Sequence, residues 1–252
     1  MSLALHAEWT KLRTVAGPLW LLLGTVAATT ALGAGATAVV HCTADGCGGD
    51  TTKVSLMGVY LGQALVAILA VLIISGEYSS GMIRTTLTAV PRRAVLFAAK
   101  AATLVGVVAV GGTAAVLGSV LAGRLILPDA GDRALSLSDG TTLRAVFGTV
   151  LYLILIGLLS LGVATAVRDS ATSIGVVLGL LYIVPIVSQA VSAPRWQHLL
   201  EKIAPMSAGL AIQATTHLDS LPISPWAGLG VTAGWAAAGL LVGGVLLGRR
   251  DA

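Results

Sequence analysis

Few side chains of this sequence are spaced for catalysis or for binding a nucleotide. No lysine precedes Ser or Thr, so the chain lacks the Gly-x-x-x-x-Gly-Lys-Ser/Thr loop that cradles nucleotide phosphates. The histidines are scattered and show no His-Glu-x-x-His spacing; they are His6, His41, His198 and His217. We therefore expect neither an ATP site nor a catalytic metal in this chain, and an enzyme is only a minor alternative.

The two cysteines, Cys42 and Cys47, lie in one short loop. Asp45 and Gly46 between them favour a turn that brings the two thiols together. Outside the cytoplasm such a pair forms a disulfide, which is our preferred interpretation. Two free thiols are the first alternative, and a metal site that includes His41 is the second.

The composition argues against a water-soluble fold. Of the 252 residues, 56% are hydrophobic and only 10% are charged, and the mean hydropathy is +0.93. Soluble domains carry roughly a quarter charged residues. The sequence therefore predicts an all-α integral membrane protein. Membrane topology explains the net charge of +4, which indicates no nucleic acid partner.

Six apolar stretches are each long enough to cross a lipid bilayer, which takes about 20 residues. They cover residues 18–40, 54–75, 101–123, 145–167, 171–193 and 226–248, within one transmembrane domain that comprises residues 1–252. None of the six contains Asp, Glu, Lys, Arg or His. Because proton-coupled carriers need ionisable groups within the membrane, this pattern weighs against an ion-gradient-driven carrier or channel, which we keep as an alternative.

Basic residues predict the orientation of the spans. With both termini in the cytoplasm, nine of the 15 Lys and Arg residues lie in inner segments, where the net charge is +5, against −1 in the outer segments. This distribution follows the positive-inside rule and predicts a multi-pass membrane protein with both termini in the cytoplasm. The inverted topology is one alternative, and cleavage of the first span as a signal peptide near Ala34-Gly35-Ala36 is another.

The first cytoplasmic segment, residues 1–17, is amphipathic. Leu5, Trp9 and Leu12 recur on one face of a helix, whereas Glu8 and Lys11 lie on another side. A Trp between basic residues just before a span is typical of a helix in the membrane interface. We predict an interfacial elbow helix here, and a plain basic flank is the alternative.

The cytoplasmic loop 76–93 is predicted to contain a second short helix. Gly76 and the cluster Ser79-Ser80-Gly81 favour an end to the second span and a cap for a new helix. Pro91 ends that helix, because the residue before proline avoids the α region. The alternative is a plain connecting loop between the second and third spans.

On the outer side, residues 194–225 form a long connection between the fifth and sixth spans. Its apolar middle, 203–213, is bracketed by Pro205 and Pro222 and is too short to cross the membrane. We predict a re-entrant or interfacial helical segment on this face.

Polar residues within the second and fifth spans are candidates for lining a substrate path. They are Tyr60, Gln63, Tyr182, Ser188 and Gln189. For any one of them, a hydrogen bond between helices is the alternative. Pro185 should kink the fifth span because it removes a backbone donor.

Five Gly-x-x-x-Gly pairs predict close helix packing without indicating which helices meet; they begin at Gly58, Gly175, Gly230, Gly239 and Gly244.

Two motifs resemble those of a known transporter family. Glu-Trp-Thr-Lys-Leu-Arg-Thr at residues 8–14 resembles the N-terminal elbow of permease subunits of type-two (ABC-2 type) ABC transporters, as in actinobacterial exporters. The run from Glu77 to Leu87, with Pro91-Arg-Arg and Ala98-Ala-Lys after it, is similar to that family's first coupling helix and the entry to its third span. The six-span layout extends the resemblance to the whole chain, although the Cys42/Cys47 loop departs from the family pattern.

The resemblance implies the permease of an ATP-driven exporter. Such a subunit pairs with a second copy, as a homodimer or with a related chain, and docks two ABC ATPase subunits that bind ATP and Mg; no cofactor is expected in this chain. The second and fifth spans would face the path. Because the spans lack charged residues, the cargo would be a hydrophobic or amphipathic compound, such as a drug in multidrug efflux, a natural product or a lipid. A sensor or immunity factor on the same fold is an alternative.

The resemblance also implies which residues contact the ATPase. They are Glu8, Lys11, Arg13, Glu77, Tyr78, Gly81, Met82, Arg84, Thr85 and Leu87.

Overall fold

The computed structural model describes residues 10, 16–40, 42–43, 46–47, 49–79, 82, 93–127, 139–191 and 193–249. These ranges are helical except for one short hairpin and the connecting turns. The elements are α1 Ala16–Ala38, β1 Cys42–Thr43, β2 Gly46–Cys47, α2 Thr51–Ser55, α3 Val59–Ser79, α4 Arg93–Ile126, α5 Gly140–Val167, α6 Ser170–Leu178, a π turn Gly179–Ile183, α7 Val184–Ala190, α8 Pro194–Ile203, α9 Pro205–Leu210, two 3-10 turns at Ala211–Gln213 and Leu218–Ser220, and α10 Pro225–Arg249.

Within the described residues, six helical segments are long and apolar enough to cross a membrane. They are α1, α3, α4, α5, the continuous run from α6 through the π turn to α7, and α10, and we call them spans one to six. The chain is therefore a multi-pass membrane protein, as the sequence predicts. The predicted elbow helix falls almost wholly outside the described residues, and so does most of the predicted coupling helix.

Spans three, four and six are longer than their apolar stretches, and span two begins and ends later in the chain than predicted. Span two continues through Gly76 and Glu77 to Ser79, and span three begins at Arg93 instead of residue 101. The guanidinium of Arg93 donates to the carbonyl of Leu247 at 2.9 Å, which joins the ends of spans three and six. Charge alone therefore does not end these helices, because the charged groups have partners on neighbouring spans.

The described residues of the segments 40–58 and 191–224 lie at one end of the bundle, which we call the outer face after the orientation that the sequence predicts. The inner face, at the opposite end, carries Glu77, Arg93 and Arg168. Between the faces, span four (α5) is the central helix and packs against spans two, three and six. Span one packs on spans two and three at the periphery.

Two of the predicted Gly-x-x-x-Gly pairs lie where helix backbones touch. A Cβ atom at Gly58, directly before span two, would come within 1.9 Å of the carbonyl oxygen of Thr29, so span one contacts the chain at the start of span two. A Cβ atom at Gly243 would lie 2.5 Å from the carbonyl oxygen of Gly162, where spans four and six cross. Small residues allow this approach, which gives van der Waals contact along the backbones.

The other pairs do not bring helices of this chain together in the same way. No atom outside the helix lies within 4 Å of a Cβ placed at Gly175, Gly230 or Gly234, so these glycines face away from the bundle. Span six thus offers a matched comparison, because Gly230 is open and Gly243 is tightly packed.

We expect Gly243→Ala to destabilise the protein. Its Cβ atom would lie 2.5 Å from the carbonyl oxygen of Gly162, and overpacking of this kind costs about 1–3 kcal/mol. Gly230→Ala, the control, should leave the stability unchanged or raise it, because Ala is the better helix former. The measurement is the midpoint of thermal unfolding in detergent, followed by tryptophan fluorescence. Equal midpoints for the two variants would contradict the assigned crossing.

Candidate binding cavity

A polar cluster lies within the apolar interior of the bundle. The hydroxyl of Tyr152 on span four donates a hydrogen bond to Oε1 of Gln63 on span two, and both side chains are fully buried. The hydroxyl of Tyr182 on span five donates to the backbone carbonyl of Tyr60 on span two. These bonds join spans two, four and five, and the first of them pairs polar groups that water cannot reach.

A cavity of about 360 Å³ opens beside this cluster, toward the outer face. Spans two and five form one side, and the segments α2, α8 and α9 and residues 221–223 form the other. The lining residues are Lys53, Tyr60, Tyr182, Pro185, Ile186, Ser188, Gln189, Glu201, Met206, Ser207, Leu210, Ala211, Leu221, Pro222 and Ile223. Mostly apolar walls with a few polar groups are typical of a small-molecule site.

The cavity brings together most of the residues that the sequence nominates for a substrate path. Tyr60, Tyr182, Ser188 and Gln189 line it. Gln63 does not; it lies behind the wall and holds Tyr152. Sequence reasoning missed Lys53 and the residues of the outer segments, because only folding of those segments over spans two and five brings them to the cavity.

The π turn shapes the wall that span five contributes. Pro185 has no backbone N–H, and its ring would crowd the carbonyl four residues earlier. The helix accommodates this proline through the π turn Gly179–Ile183 directly before it, and Tyr182 lies within that turn. A π turn thus lies beside Pro185, where Tyr182 meets span two, and the predicted kink itself stays a prediction.

Asp50 fixes the outer segments in place over the cavity. Its Oδ1 accepts from the backbone N–H of Lys53 at 3.0 Å, which caps α2. The same carboxylate accepts from the hydroxyl of Thr215 at 2.7 Å and from the N–H groups of Thr215 and Thr216. One side chain therefore joins the first outer loop to the last.

Span six supports the same segments from the other side. The indole N–H of Trp235 donates to the carbonyl of Ile203 at 2.9 Å, and the hydroxyl of Thr232 donates to the carbonyl of Pro205 at 3.1 Å. These bonds hold the turn between α8 and α9, both of which contribute residues to the cavity. The predicted outer helical segment between spans five and six is therefore present as α8 and α9.

α8 is amphipathic, as the predicted interfacial segment requires. Trp196, Leu199 and Ile203 recur at helical spacing and are exposed, whereas Glu201 lies on a different side and faces the cavity. An amphipathic helix of this kind buries its apolar face at the boundary of head groups and acyl chains.

At the inner face, Glu77 and Lys100 form a buried ion pair between spans two and three. The Lys100 Nζ atom lies 2.8 Å from Glu77 Oε1, and the two residues are 0% and 4% exposed. The sequence nominates Glu77 for contact with an ATPase; the structure places its carboxylate on the ammonium of Lys100. The resemblance treated Lys100 only as part of the entry to span three.

Beside this pair, Arg168 caps the C-terminal end of span four in a left-handed conformation, with φ of 65°. Its guanidinium lies 5.4 Å from the ring centroid of Tyr78, a cation–π contact. The next residue, Asp169, caps α6, and hydrogen bonds from the hydroxyl and N–H of Thr172 lower the pKa of its carboxyl. The inner face thus combines cations with a carboxylate that stays charged at neutral pH.

Of the other residues that the resemblance implies for ATPase contact, Met82 is 46% exposed. The rest lie outside the described residues, and their role stays a prediction; they are Glu8, Lys11, Arg13, Gly81, Arg84, Thr85 and Leu87.

The cysteines lie opposite each other in the hairpin. β1 and β2 pair antiparallel, with Cys42 facing Cys47 and Thr43 facing Gly46. Directly opposite residues in such a pair have Cα atoms about 4.5–5.5 Å apart, a separation that disulfides span. The backbone is compatible with the predicted disulfide. Among the described residues, no group of three His, Cys, Asp or Glu side chains could hold a metal ion.

Comparison with known proteins does not extend these observations: no protein-family model matches the sequence, and no curated protein matches it. The resemblance to ABC permeases therefore rests on the sequence motifs alone.

We expect Tyr152→Phe to lower the stability by about 1 kcal/mol, because it leaves Gln63 Oε1 buried without this donor. Tyr152→Phe combined with Gln63→Leu removes both partners and should cost less than the sum of the single variants. The single variant Gln63→Leu completes the cycle, which is measured by thermal unfolding in detergent. Strictly additive effects would show that the two side chains are not coupled.

Lys100→Met should be strongly destabilising, by about 3–5 kcal/mol, because it removes the ammonium from a buried carboxylate. Glu77→Gln combined with Lys100→Met removes both charges and should recover most of the loss. The readouts are the yield of monodisperse protein and its thermal midpoint. A Lys100→Met protein as stable as the parent would exclude a structural role for the pair.

Proposed function

We propose that this chain is the permease subunit of an ATP-driven ABC exporter of the bacterial plasma membrane, with both termini cytoplasmic. It would work as a dimer docked on two separate ATPase subunits, and it would export a hydrophobic or amphipathic compound. The observation that carries the proposal is the cavity beside spans two and five, the spans that the resemblance assigns to the path. Four of the five residues nominated for that path line it.

The chemistry of the cavity supports an amphipathic cargo. Leu210, Ile186 and Met206 give it apolar walls, and the hydroxyl of Ser188 and the amide of Gln189 give it hydrogen-bonding groups. A compound with an apolar body and a few polar atoms fits such a lining. The energy for transport would come from a partner, because the sequence contains no phosphate-binding loop.

One observation favours a second candidate, an ion-gradient-driven carrier. The pair Glu77–Lys100 is buried between two membrane helices, and ionisable groups in such places often belong to proton pathways. We rank this candidate second, because the pair lies near the inner ends of spans two and three, away from the cavity beneath the outer face.

The tagged chain, purified from its native membrane in mild detergent, should recover an ATPase that is a separate polypeptide with a phosphate-binding loop. In vesicles that contain both subunits, cargo flux should require ATP and should continue when ionophores collapse the ion gradients. Flux without the ATPase that stops on adding an ionophore would support the carrier instead. Recovery of no such ATPase would count against the exporter.

Variants at the inner face sharpen this test. Arg84→Ala should reduce ATP-driven flux while leaving the stability of the permease unchanged, if Arg84 lies at the docking surface. The double variant Glu77→Gln/Lys100→Met lacks both charges and should remain stable, so it tests the role of Glu77 apart from stability. If ATP hydrolysis no longer drives flux in this variant, Glu77 contributes to ATPase docking as well as to the ion pair.

A further inference from the structure

Two opposite charges lie at the cavity, and the substrate path proposed above does not use them. Lys53 belongs to α2 in the first outer loop, and Glu201 belongs to the amphipathic helix α8. Both side chains line the cavity. They come from segments far apart in the chain, which the outer face brings together.

The two charges do not neutralise each other. Within the described part of the chain, the one ion pair between side chains is that of Lys100 with Glu77, and none joins Lys53 to Glu201. The Glu201 carboxylate accepts only a long hydrogen bond, 3.4 Å from Nε2 of Gln197. An ammonium and a carboxylate are therefore both presented to a ligand in the cavity.

Aromatic and apolar groups line the same cavity as these charges. The rings of Tyr60 and Tyr182 line the cavity, and aromatic faces attract organic cations. Ile186 and Met206 provide apolar surface in the same cavity. The lining thus pairs one cationic and one anionic contact with surface for a hydrocarbon chain.

Exposed apolar side chains lie on two segments that line the cavity, span five and α8. Ile186, which lines it, is 64% exposed, and Trp196 on α8 is 61% exposed. An apolar chain could therefore remain in the outer half of the bilayer while its polar head reaches Lys53 and Glu201.

We propose that this cavity binds a zwitterionic amphiphile, with its acidic group at Lys53, its ammonium at Glu201 near the tyrosine rings, and its apolar chain along Ile186 toward the lipid. This inference names the cargo class for the function proposed above and rests on it in that respect. The binding itself is a property of this chain alone and needs no ATPase.

The test compares the affinities of three probes of equal chain length for the purified chain in maltoside micelles. Octylphosphocholine is zwitterionic, octyltrimethylammonium is cationic and octyl phosphate is anionic. Wild-type protein should prefer the zwitterion by about fivefold, the scale of one partly exposed charge contact. Phosphocholine without a chain should bind more weakly than octylphosphocholine, which separates an amphiphile from a free head group.

Charge variants should change the preference in opposite directions. Glu201→Gln should favour the anionic probe over the cationic one, and Lys53→Met should do the reverse. Lys202→Gln is the matched control, because Lys202 is exposed next to Glu201 and does not line the cavity. Each preference is a ratio of two affinities measured on one protein preparation, so a smaller folded fraction affects both affinities equally.

The proposal would be overturned if wild type and both variants bound the three probes in the same order of affinity. It would also be overturned if phosphocholine and octylphosphocholine bound with equal affinity. Neither result would affect recovery of an ATPase partner. Conversely, a missing ATPase would leave the measured charge preference intact, so the two proposals fail independently.

Discussion

The structure depends on close contact between helix backbones, because the bilayer offers no hydrophobic gain for bringing one apolar helix against another. Span four crosses span six where Gly162 meets Gly239 and Gly243. Span one reaches span two where Thr29 meets Gly58. Once these crossings are set, the Tyr152–Gln63 hydrogen bond and the apolar side chains around span four have fixed positions, and the remaining spans pack around them.

Polar chemistry is concentrated at the two faces, and it joins segments that are distant in the chain. On the outer face, Asp50 binds residues 215 and 216. On the inner face, Glu77 binds Lys100 and Arg93 binds the end of span six. Each of these groups would be costly within lipid if it stood alone. Arranged as partners, they orient the ends of the spans and leave the midplane to apolar packing and the tyrosine cluster.

Much of the fold follows from the sequence, since the six apolar stretches agree with the six spans to within a few residues at most ends. The largest departure is at the start of span three, where Lys100 lies within the helix, and at Gly76 too the sequence indicates a loop where the structure has helix. A charged residue beside an apolar stretch predicts the end of a membrane span. Here Glu77 of span two and Lys100 of span three neutralise each other, and the sequence of either span alone does not reveal this pairing. Likewise, periodicity finds Tyr60 and Tyr182, whereas Lys53 and Glu201 reach the cavity only through the folding of the outer loops.

The π turn in span five also bears on the length of that span. In a regular α-helix, removing one residue rotates everything beyond it by about 100° and turns lining residues away from their site. A π turn already contains one residue more than the α-helix would use. Deleting a residue within Gly179–Ile183 would therefore leave Ser188 and Gln189 facing as before, but it would bring the ring of Pro185 against the carbonyl four residues earlier. The extra residue of span five thus lets one helix contain Pro185 and still present Ser188 and Gln189 to the cavity.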